Sequence, residues 1–161
     1  MECWLIGGRA MDSFLIPSAS GAVSLEFFER TPPDTRQPIE RFKVRLVGPE
    51  LSAVGRIYVD TAVYSVGAAS HPVSMFTQMA ANWRGWEDEL AWGSPEEELT
   101  LSCAQDRTGH VSIKVELRSG STEQDWTVRA TVMTEAGQLE EVARHAALFF
   151  GLDYRRTTLS R

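Results

Sequence analysis

The stretch LTLSCAQDRTGHVSIKVELR, from Leu99 to Arg118, decides the fold class of this 161-residue chain. Apolar residues alternate with polar ones on both sides of a central turn: Leu99, Leu101 and Cys103 before it, and Val111, Ile113, Val115 and Leu117 after it. A period of two is typical of a strand with one face on a core and the other in water. The stretch therefore predicts two amphipathic strands joined by a short loop.

The loop length follows from the two faces. Both apolar sets must reach the same side of the sheet, which an even loop would prevent. A three-residue loop with Gly109 in a left-handed conformation satisfies this condition. It predicts an antiparallel hairpin in which Cys103 faces Ile113, Leu101 faces Val115, and Asp106 faces His110 on the polar side.

Four further segments have the composition and alternation of strands. They run over Ala22–Arg30, Ile39–Val47, Leu51 to about Val66, and Trp126–Thr134. A bend is expected at Gly55. In the last of these segments Trp126, Val128, Ala130 and Val132 are predicted to point inward.

Two helices are predicted from apolar stripes at a spacing of three and four residues. The first follows Ser70 with Pro72 in its first turn and Gly85 as its left-handed end, and its stripe is Phe76, Met79, Ala80 and Trp83. The second starts from Thr134 as N-cap and ends at Gly151. Its stripe is Leu139, Val142, Ala143, Ala146 and Phe150.

Together these elements predict an α+β fold: one antiparallel sheet of about six to seven strands with two helices packed on one face. A closed β-barrel with two helical inserts is the alternative. The length fits a single domain over residues 1–161 with a core at about 14–151. Residues 1–12 are expected to be a loose N-terminus, with Met1 or Met11 as the start, and residues 152–161 a C-terminal tail.

Charge is unevenly distributed along the chain. There are 22 acidic residues against 16 Lys and Arg, giving a net charge of -6, and Glu87 to Glu98 contains six of the acids and no base. The rest of the chain is balanced. A net negative field repels phosphate backbones and anionic lipid heads, so neither nucleic acid nor a membrane surface is expected as a partner.

The cellular location is predicted from the small number of cysteines and from the lack of a signal peptide or a long apolar segment. Its two cysteines, Cys3 and Cys103, are too few for a disulfide framework. The N-terminus carries an acid where a signal peptide needs a base, and no apolar run approaches about 20 residues. We therefore expect a cytoplasmic protein.

The sequence offers one weak candidate for a catalytic or metal-binding site. The sequence contains none of the common hydrolase, kinase, P-loop, dinucleotide or zinc-protease motifs. Asp106 and His110 form the one titratable pair that can be placed, and Cys103 points to the other face of the sheet. A turn aspartate beside a surface histidine is the ordinary interpretation. We expect no catalytic residue, no metal and no cofactor, and we expect His71 and His145 to be solvent groups.

Three tryptophans accompany the acidic stretch: Trp83 and Trp86 directly before it and Trp92 within it. Trp83 is predicted to belong to the core because it shares the helical stripe, whereas Trp86 and Trp92 serve either as core or as recognition residues. The acidic stretch is either a solvated loop or a binding surface. The predicted partner-binding residues are Trp86, Glu87, Asp88, Glu89, Trp92, Glu96, Glu97 and Glu98.

Several short pieces together resemble, over about residues 22–151, a family of short bacterial proteins classed as a domain of unknown function. They are Arg41–Pro49, Trp83–Trp86, Trp92–Ser94, Gly109–Val111 and Glu135–Glu140. That family is similar, more weakly, to immunity proteins that neutralise wall-associated polymorphic toxins and that join a curved antiparallel sheet to helices. The resemblance implies a small non-enzymatic binding protein and supplies no catalytic residues.

The leading functional hypothesis is a protein-binding domain, an immunity protein presenting its tryptophans and acids to a basic partner such as a toxin. A small-molecule-binding domain or minor enzyme is the alternative, and it predicts an apolar pocket between sheet and helices. A structural, oligomerising subunit is the third hypothesis. The sequence leaves the oligomeric state open.

Overall fold

A computed structural model of the chain describes residues 11–60, 71–120 and 125–152. Within these ranges it contains eight strands, two helices and one short 3-10 turn. The first four strands are Ser13–Ile16 (β1), Ser24–Thr31 (β2), Ile39–Gly48 (β3) and Leu51–Asp60 (β4). The second four are Leu90–Gly93 (β5), Leu99–Gln105 (β6), His110–Arg118 (β7) and Thr127–Glu135 (β8). The helices are Pro72–Ala81 (α1) and Leu139–Phe149 (α2), and the 3-10 turn is Ala136–Gln138.

The strands form two four-stranded antiparallel sheets, in the orders β1-β2-β3-β4 and β5-β6-β7-β8. The α+β class is therefore confirmed, but the prediction of one sheet with six to seven strands is wrong. Alternation indicates which side of a strand is buried and not which sheet the strand joins. Strands β1 and β5 have four residues each, too few to establish a period of two.

The two sheets meet where β4 passes β7. A Cβ atom at Gly55 would lie 2.5 Å from Cδ1 of Leu117, whose side chain is fully buried. Pairing continues through this position, with Gly55 opposite Val44. Glycine is needed here because another side chain approaches the backbone closely.

The helices pack against each other and touch both sheets: α1 contacts β5, and α2 contacts β1. The prediction that both cover one face of one sheet is wrong, because there are two sheets and the two helices contact different ones. Phenylalanine rings fill the junction with the first sheet. Phe14 stacks on Phe27 at 4.5 Å between centroids, and Phe150 meets Phe42 edge-on at 5.1 Å. These rings occupy the place where the small-molecule alternative predicts a pocket.

The central hairpin is confirmed. Cys103 pairs with Ile113 and Leu101 with Val115, while the Asp106 amide donates to the His110 carbonyl at 2.9 Å. Gly109 has a φ of 88°, as the three-residue loop requires. The stripe predicted for the last helix is also confirmed, since all five of its members are buried. Gly151 ends that helix with a φ of 67°.

Several local predictions are wrong at the ends of elements. Helix α1 ends at Ala81, with Asn82 as C-cap, so Gly85 does not cap it and Trp83 is not in its stripe. Trp83 is 52% exposed and Trp126 is 38% exposed, although both were expected to point inward. Thr134 belongs to β8, and a 3-10 turn separates it from α2.

Among the described residues, no helix is both long and apolar enough to cross a membrane. The end of the third predicted strand beyond Asp60 lies outside the described residues. So do residues 1–10 of the expected loose N-terminus and the tail from residue 153 onward.

Candidate functional site

Three segments that are distant in sequence meet at one surface cleft of about 650 Å³. The loop after α1 contributes Trp83–Glu87, the β6–β7 turn contributes Gln105–Gly109, and the 3-10 turn contributes Ala136. The Ala136 amide donates to the Gly109 carbonyl at 2.9 Å, which fixes the last segment on the second. We call this site the tryptophan cleft. It brings Trp86 and Glu87 of the predicted partner-binding set beside Asp106 of the predicted polar site.

The two tryptophans of the cleft have different environments. Trp83 has an exposed ring, and Nε2 of Gln105 donates to its backbone carbonyl at 3.0 Å. The Arg84 guanidinium lies 5.2 Å from the centroid of that ring. Trp86 is half-buried, and its Nε1 donates to the Cys103 carbonyl at 3.3 Å. One ring is therefore anchored on the sheet while the other faces solvent.

The floor of the cleft has an unsatisfied acceptor. Oε1 of Gln105 is buried and has no hydrogen-bond partner among the described residues. Arg84 and Arg107 also line the cleft, and neither forms an ion pair with any residue that the structure describes. Unpaired polar groups around a concave surface are the features by which a ligand or partner is oriented.

Asp106 holds the turn that forms one wall. It accepts hydrogen bonds from the Thr108 hydroxyl (2.7 Å), the Thr108 amide (2.8 Å) and the His110 amide (3.0 Å). The hydrogen bond from the Thr108 hydroxyl is the largest cause that lowers the pKa of Asp106 to about 2; burial opposes it, and the bonds from the His110 and Thr108 amides and the His110 ring add to the lowering. The Asp106 carboxylate therefore serves to hold the β6–β7 turn through these hydrogen bonds.

His110 lies between two carboxylates. Its Nδ1 is 3.2 Å from Oδ2 of Asp106, and its Nε2 is 3.6 Å from Oε1 of Glu135. Within the described ranges, no group of three or more His, Cys, Asp and Glu side chains is placed to hold a metal ion. The observed contacts match the ordinary interpretation of a turn aspartate and a surface histidine.

Cys103 points away from this polar pair, as the register predicts. Its side chain is buried, with Sγ 3.8 Å from Sδ of Met75 in α1. Burial, with a smaller contribution from the negative charge of Glu89, raises the pKa of Cys103 to about 12. The thiol therefore stays protonated at neutral pH and is a core group, since nucleophilic cysteines need a lowered pKa.

The acidic stretch is divided by β5 into two groups. Glu87, Asp88 and Glu89 precede the strand, all three are exposed, and Glu87 lines the tryptophan cleft. Glu89 accepts a hydrogen bond from Ser102 and lies 3.6 Å from Nζ of Lys114. Glu87 and Asp88 form no ion pair with any described residue. The first group thus leaves one unpaired carboxylate in the lining of the cleft, that of Glu87, and a second one next to it in sequence, that of Asp88.

The second acidic group, after β5, is mainly structural. Glu98 is buried and accepts a hydrogen bond from the Ser94 hydroxyl at 2.5 Å. Glu97 lies 3.6 Å from Nη1 of Arg118, whereas Glu96 is exposed. Trp92, on β5 itself, is 4% exposed and belongs to the core. Trp92 and Glu98 are thus the two nearly buried members of the predicted partner-binding set, at 4% and 6% exposed.

A buried polar network that the sequence analysis did not identify lies at the junction of β2, β3 and α1. Glu40 is 3% exposed, and Nε of Arg30 donates to its Oε1 at 2.8 Å. His71 lies 3.6 Å from the other carboxylate oxygen, and its Nδ1 accepts from the Val73 amide as the N-cap of α1. The expectation that His71 is a solvent group is therefore wrong.

The pKa of Glu40 reflects two opposing causes. Burial, the largest single cause, raises it, but hydrogen bonds and charges from His71 and Arg30 outweigh burial and lower the pKa overall. One sequence signal points to this residue: Glu40 is in phase with the inward-facing Phe42 and Val44. An acid on the inward phase of a strand predicts a buried partner.

The chain matches one protein family, described as "Family of unknown function (DUF6228)", over residues 16–153. No curated protein sequence and no solved structure matches it. The match agrees with the resemblance to a domain of unknown function.

Proposed function

The chain belongs to the family of unknown function DUF6228, and on that premise we propose that it is a non-enzymatic protein-binding domain whose recognition surface is centred on the tryptophan cleft. The observation that carries the proposal is the joint position of exposed Trp83 and of Glu87, which forms no ion pair with any described residue, at the cleft. The proposed recognition surface therefore includes only the first half of the acidic stretch, whereas the sequence predicted the whole stretch.

Trp83 supports the proposal through its exposure and its fixed position. Exposing a large apolar ring to water is unfavourable, and burying the ring in an interface removes that cost. Tryptophan and arginine are also among the residues most enriched at interface hot spots. The Gln105 bond holds the Trp83 backbone, and Arg84 lies over the ring. A side chain that is already ordered loses less entropy on binding.

The charges at the rim favour a basic partner. Glu87 and Asp88 are exposed and unpaired among the described residues, so a cationic surface can approach them without breaking an internal ion pair. Such rim charges mainly accelerate association. Arg84 and Arg107, which line the cleft, can donate hydrogen bonds to acceptor groups of the partner. The expected partner is therefore basic overall, with carbonyl or carboxylate groups that enter the cleft.

The resemblance to immunity proteins extends this proposal. We propose that the partner is a toxin of basic character and that the protein binds it in the cytoplasm. An inhibitor that acts by covering a surface needs no nucleophile. This fits the titratable groups beside the cleft, because Asp106 is committed to its turn and the Cys103 thiol is protonated.

The test compares capture of a partner from the native lysate by immobilised variants. We expect the double variant Trp83→Ala/Glu87→Lys to lose the protein that the wild type retains. The control is Val54→Ala/Glu50→Lys, which removes an exposed apolar side chain and reverses one charge far from the cleft. The control should retain the same protein.

Kinetics then separate the two roles. With the captured protein as analyte, Glu87→Lys should slow association and flatten its dependence on salt, because rim charges act during encounter. Trp83→Ala should mainly accelerate dissociation. If both variants bind with wild-type rates, the tryptophan cleft is not the recognition surface.

A further inference from the structure

The outer face of the first sheet carries a row of positive charges. Arg41, Lys43 and Arg45 alternate along β3 and point away from the core. Arg56 of β4 lies directly opposite Lys43. Like charges in directly opposite positions of neighbouring strands destabilise a sheet. Any repulsion that remains between these groups would be relieved by a bound anion.

Internal ion pairs neutralise part of this row. Lys43 pairs with Glu29, and Nη1 of Arg45 lies 3.1 Å from Oε2 of Glu26. Arg41 and Arg56 form no ion pair with any described residue. The chain as a whole carries a net charge of -6, yet this face keeps two unpaired guanidinium groups.

These groups surround a cleft of about 370 Å³ on the sheet. We call it the arginine cleft; it is lined by Glu29, Thr31, Arg41, Lys43, Arg56 and Tyr58, among others. The volume is within the usual range for small-molecule sites, about 300 to 1,000 Å³. It is separate from the tryptophan cleft, which lies on the second sheet.

An irregularity in β2 shapes one side of the arginine cleft. The register shifts between Phe28 and Thr31, and Glu29 has a φ of 48°, in the left-handed region that non-glycine residues seldom adopt. This bulge directs Glu29 to Lys43 on the outer face and Arg30 to buried Glu40. Bulges are frequent beside binding sites because they redirect side chains. Here the bulge also places Thr31 opposite Arg41.

Tyr58 supplies an apolar surface beside the cations. Its side chain is 41% exposed, and it pairs with Arg41, whose guanidinium lies 5.9 Å from the ring centroid. The site thus combines two guanidiniums that form no ion pair with any described residue, the Lys43–Glu29 ion pair, the ring of Tyr58 and the hydroxyl of Thr31. A guanidinium group donates two parallel hydrogen bonds to the oxygens of one phosphate, and the negative charge of phosphate complements the two arginines.

We propose that the arginine cleft binds the phosphate chain of a small organic di- or triphosphate. Arg41 and Arg56 contact the phosphate oxygens, and the ring of Tyr58 lies beside the organic part, while Lys43 keeps its ion pair with Glu29. A nucleic-acid polymer is disfavoured, because its many phosphates would meet the repulsive net charge of the chain beyond this face.

The test is calorimetric titration of the full chain with pyrophosphate, tripolyphosphate and ADP at low salt and with a chelator present. We expect saturable binding of one ligand per chain that weakens as salt is added. Arg41→Gln/Arg56→Gln should weaken it at least about tenfold, since hydrogen bonds between charged groups are lost. The matched control, Arg129→Gln/Arg144→Gln, removes the same charge from exposed residues outside the cleft and should bind normally.

Chemical-shift mapping on the wild type keeps the test independent of variant folding. Tripolyphosphate should shift the amides of residues 41–43 and 56–58 first. If ADP binds more tightly than pyrophosphate and Tyr58→Ala removes the difference, the organic part contacts the ring; if they bind equally, the phosphate chain is the determinant. Failure to saturate, equal binding by the arginine double variant, or tighter binding of a hexaglutamate peptide would overturn the proposal.

Discussion

Glu40 joins a strand of the first sheet to the start of a helix through a single carboxylate. One oxygen accepts from Arg30 of β2, and the other lies near His71, the residue that caps α1. Phe150 closes the network, with its ring 4.5 Å from that of His71. A carboxylate this deeply buried is tolerated because both of its oxygens face a cationic or hydrogen-bonding group.

Neutralising this carboxylate should destabilise the protein. We expect Glu40→Gln to lower the free energy of unfolding by about 2 kcal/mol, because Arg30 loses its charged partner away from bulk water. The control is Glu26→Gln, which breaks the more exposed pair with Arg45 and should cost less than about 1 kcal/mol. Urea denaturation measures both. A loss for Glu40→Gln no larger than for Glu26→Gln would contradict the assigned role.

The same residue predicts a dependence on pH. The pKa of Glu40 is lowered from an ordinary value of 4.5, so its contribution to stability is present above that value and is lost as the pH falls through the folded-state pKa. Between about pH 6 and pH 3 the wild type should lose more stability than Glu40→Gln. Parallel losses in the two proteins would show that Glu40 does not titrate in this way.

At the scale of elements, the packing of the two sheets depends on the close approach of β4 to β7. Gly55→Ala should lower the free energy of unfolding by about 2 kcal/mol, because the new methyl group overlaps fully buried Leu117. Gly93→Ala is a matched control in β5, where the nearest atom is 3.8 Å away, and it should change stability by less than about 0.5 kcal/mol. Thermal or urea unfolding distinguishes them. Equal stability of the two variants would show that the sheets do not meet here.

The sequence predicts the elements well where a local pattern and a turn agree. The β6–β7 hairpin follows from two alternating runs and Gly109, and its register is as expected. Strand β5 is different, since its four residues, Leu90, Ala91, Trp92 and Gly93, are too few to show an alternating pattern. The sorting of strands into two sheets depends on contacts such as Gly55 with Leu117, which join distant segments and leave no local period.

At the scale of the whole molecule, opposite charges are placed on different sheets. Unpaired carboxylates lie beside β5 of the second sheet, and unpaired guanidiniums lie on β3 and β4 of the first. The net charge of -6 therefore describes neither surface. The two proposed sites can be tested independently, because their charged residues are not shared.

The candidate site was predictable in composition but not in shape. Trp86 and Glu87 were expected at a recognition surface, and they line the tryptophan cleft. Trp83 was expected in the core, because the helical stripe was extended two residues past the end of α1. The role of Gln105 could not be predicted from the sequence. Its side chain donates to the Trp83 carbonyl, and only the fold brings that carbonyl against β6.

The most direct test of the recognition surface is site-specific photo-crosslinking in the native lysate, with a photoreactive phenylalanine at position 83. The control places the same group at position 54, an exposed apolar position on the first sheet. We predict one discrete protein adduct from position 83, lost when Glu87→Lys is added, and no such adduct from position 54. The same adduct from both positions, or none from position 83 when the wild type retains a partner on the column, would contradict the account.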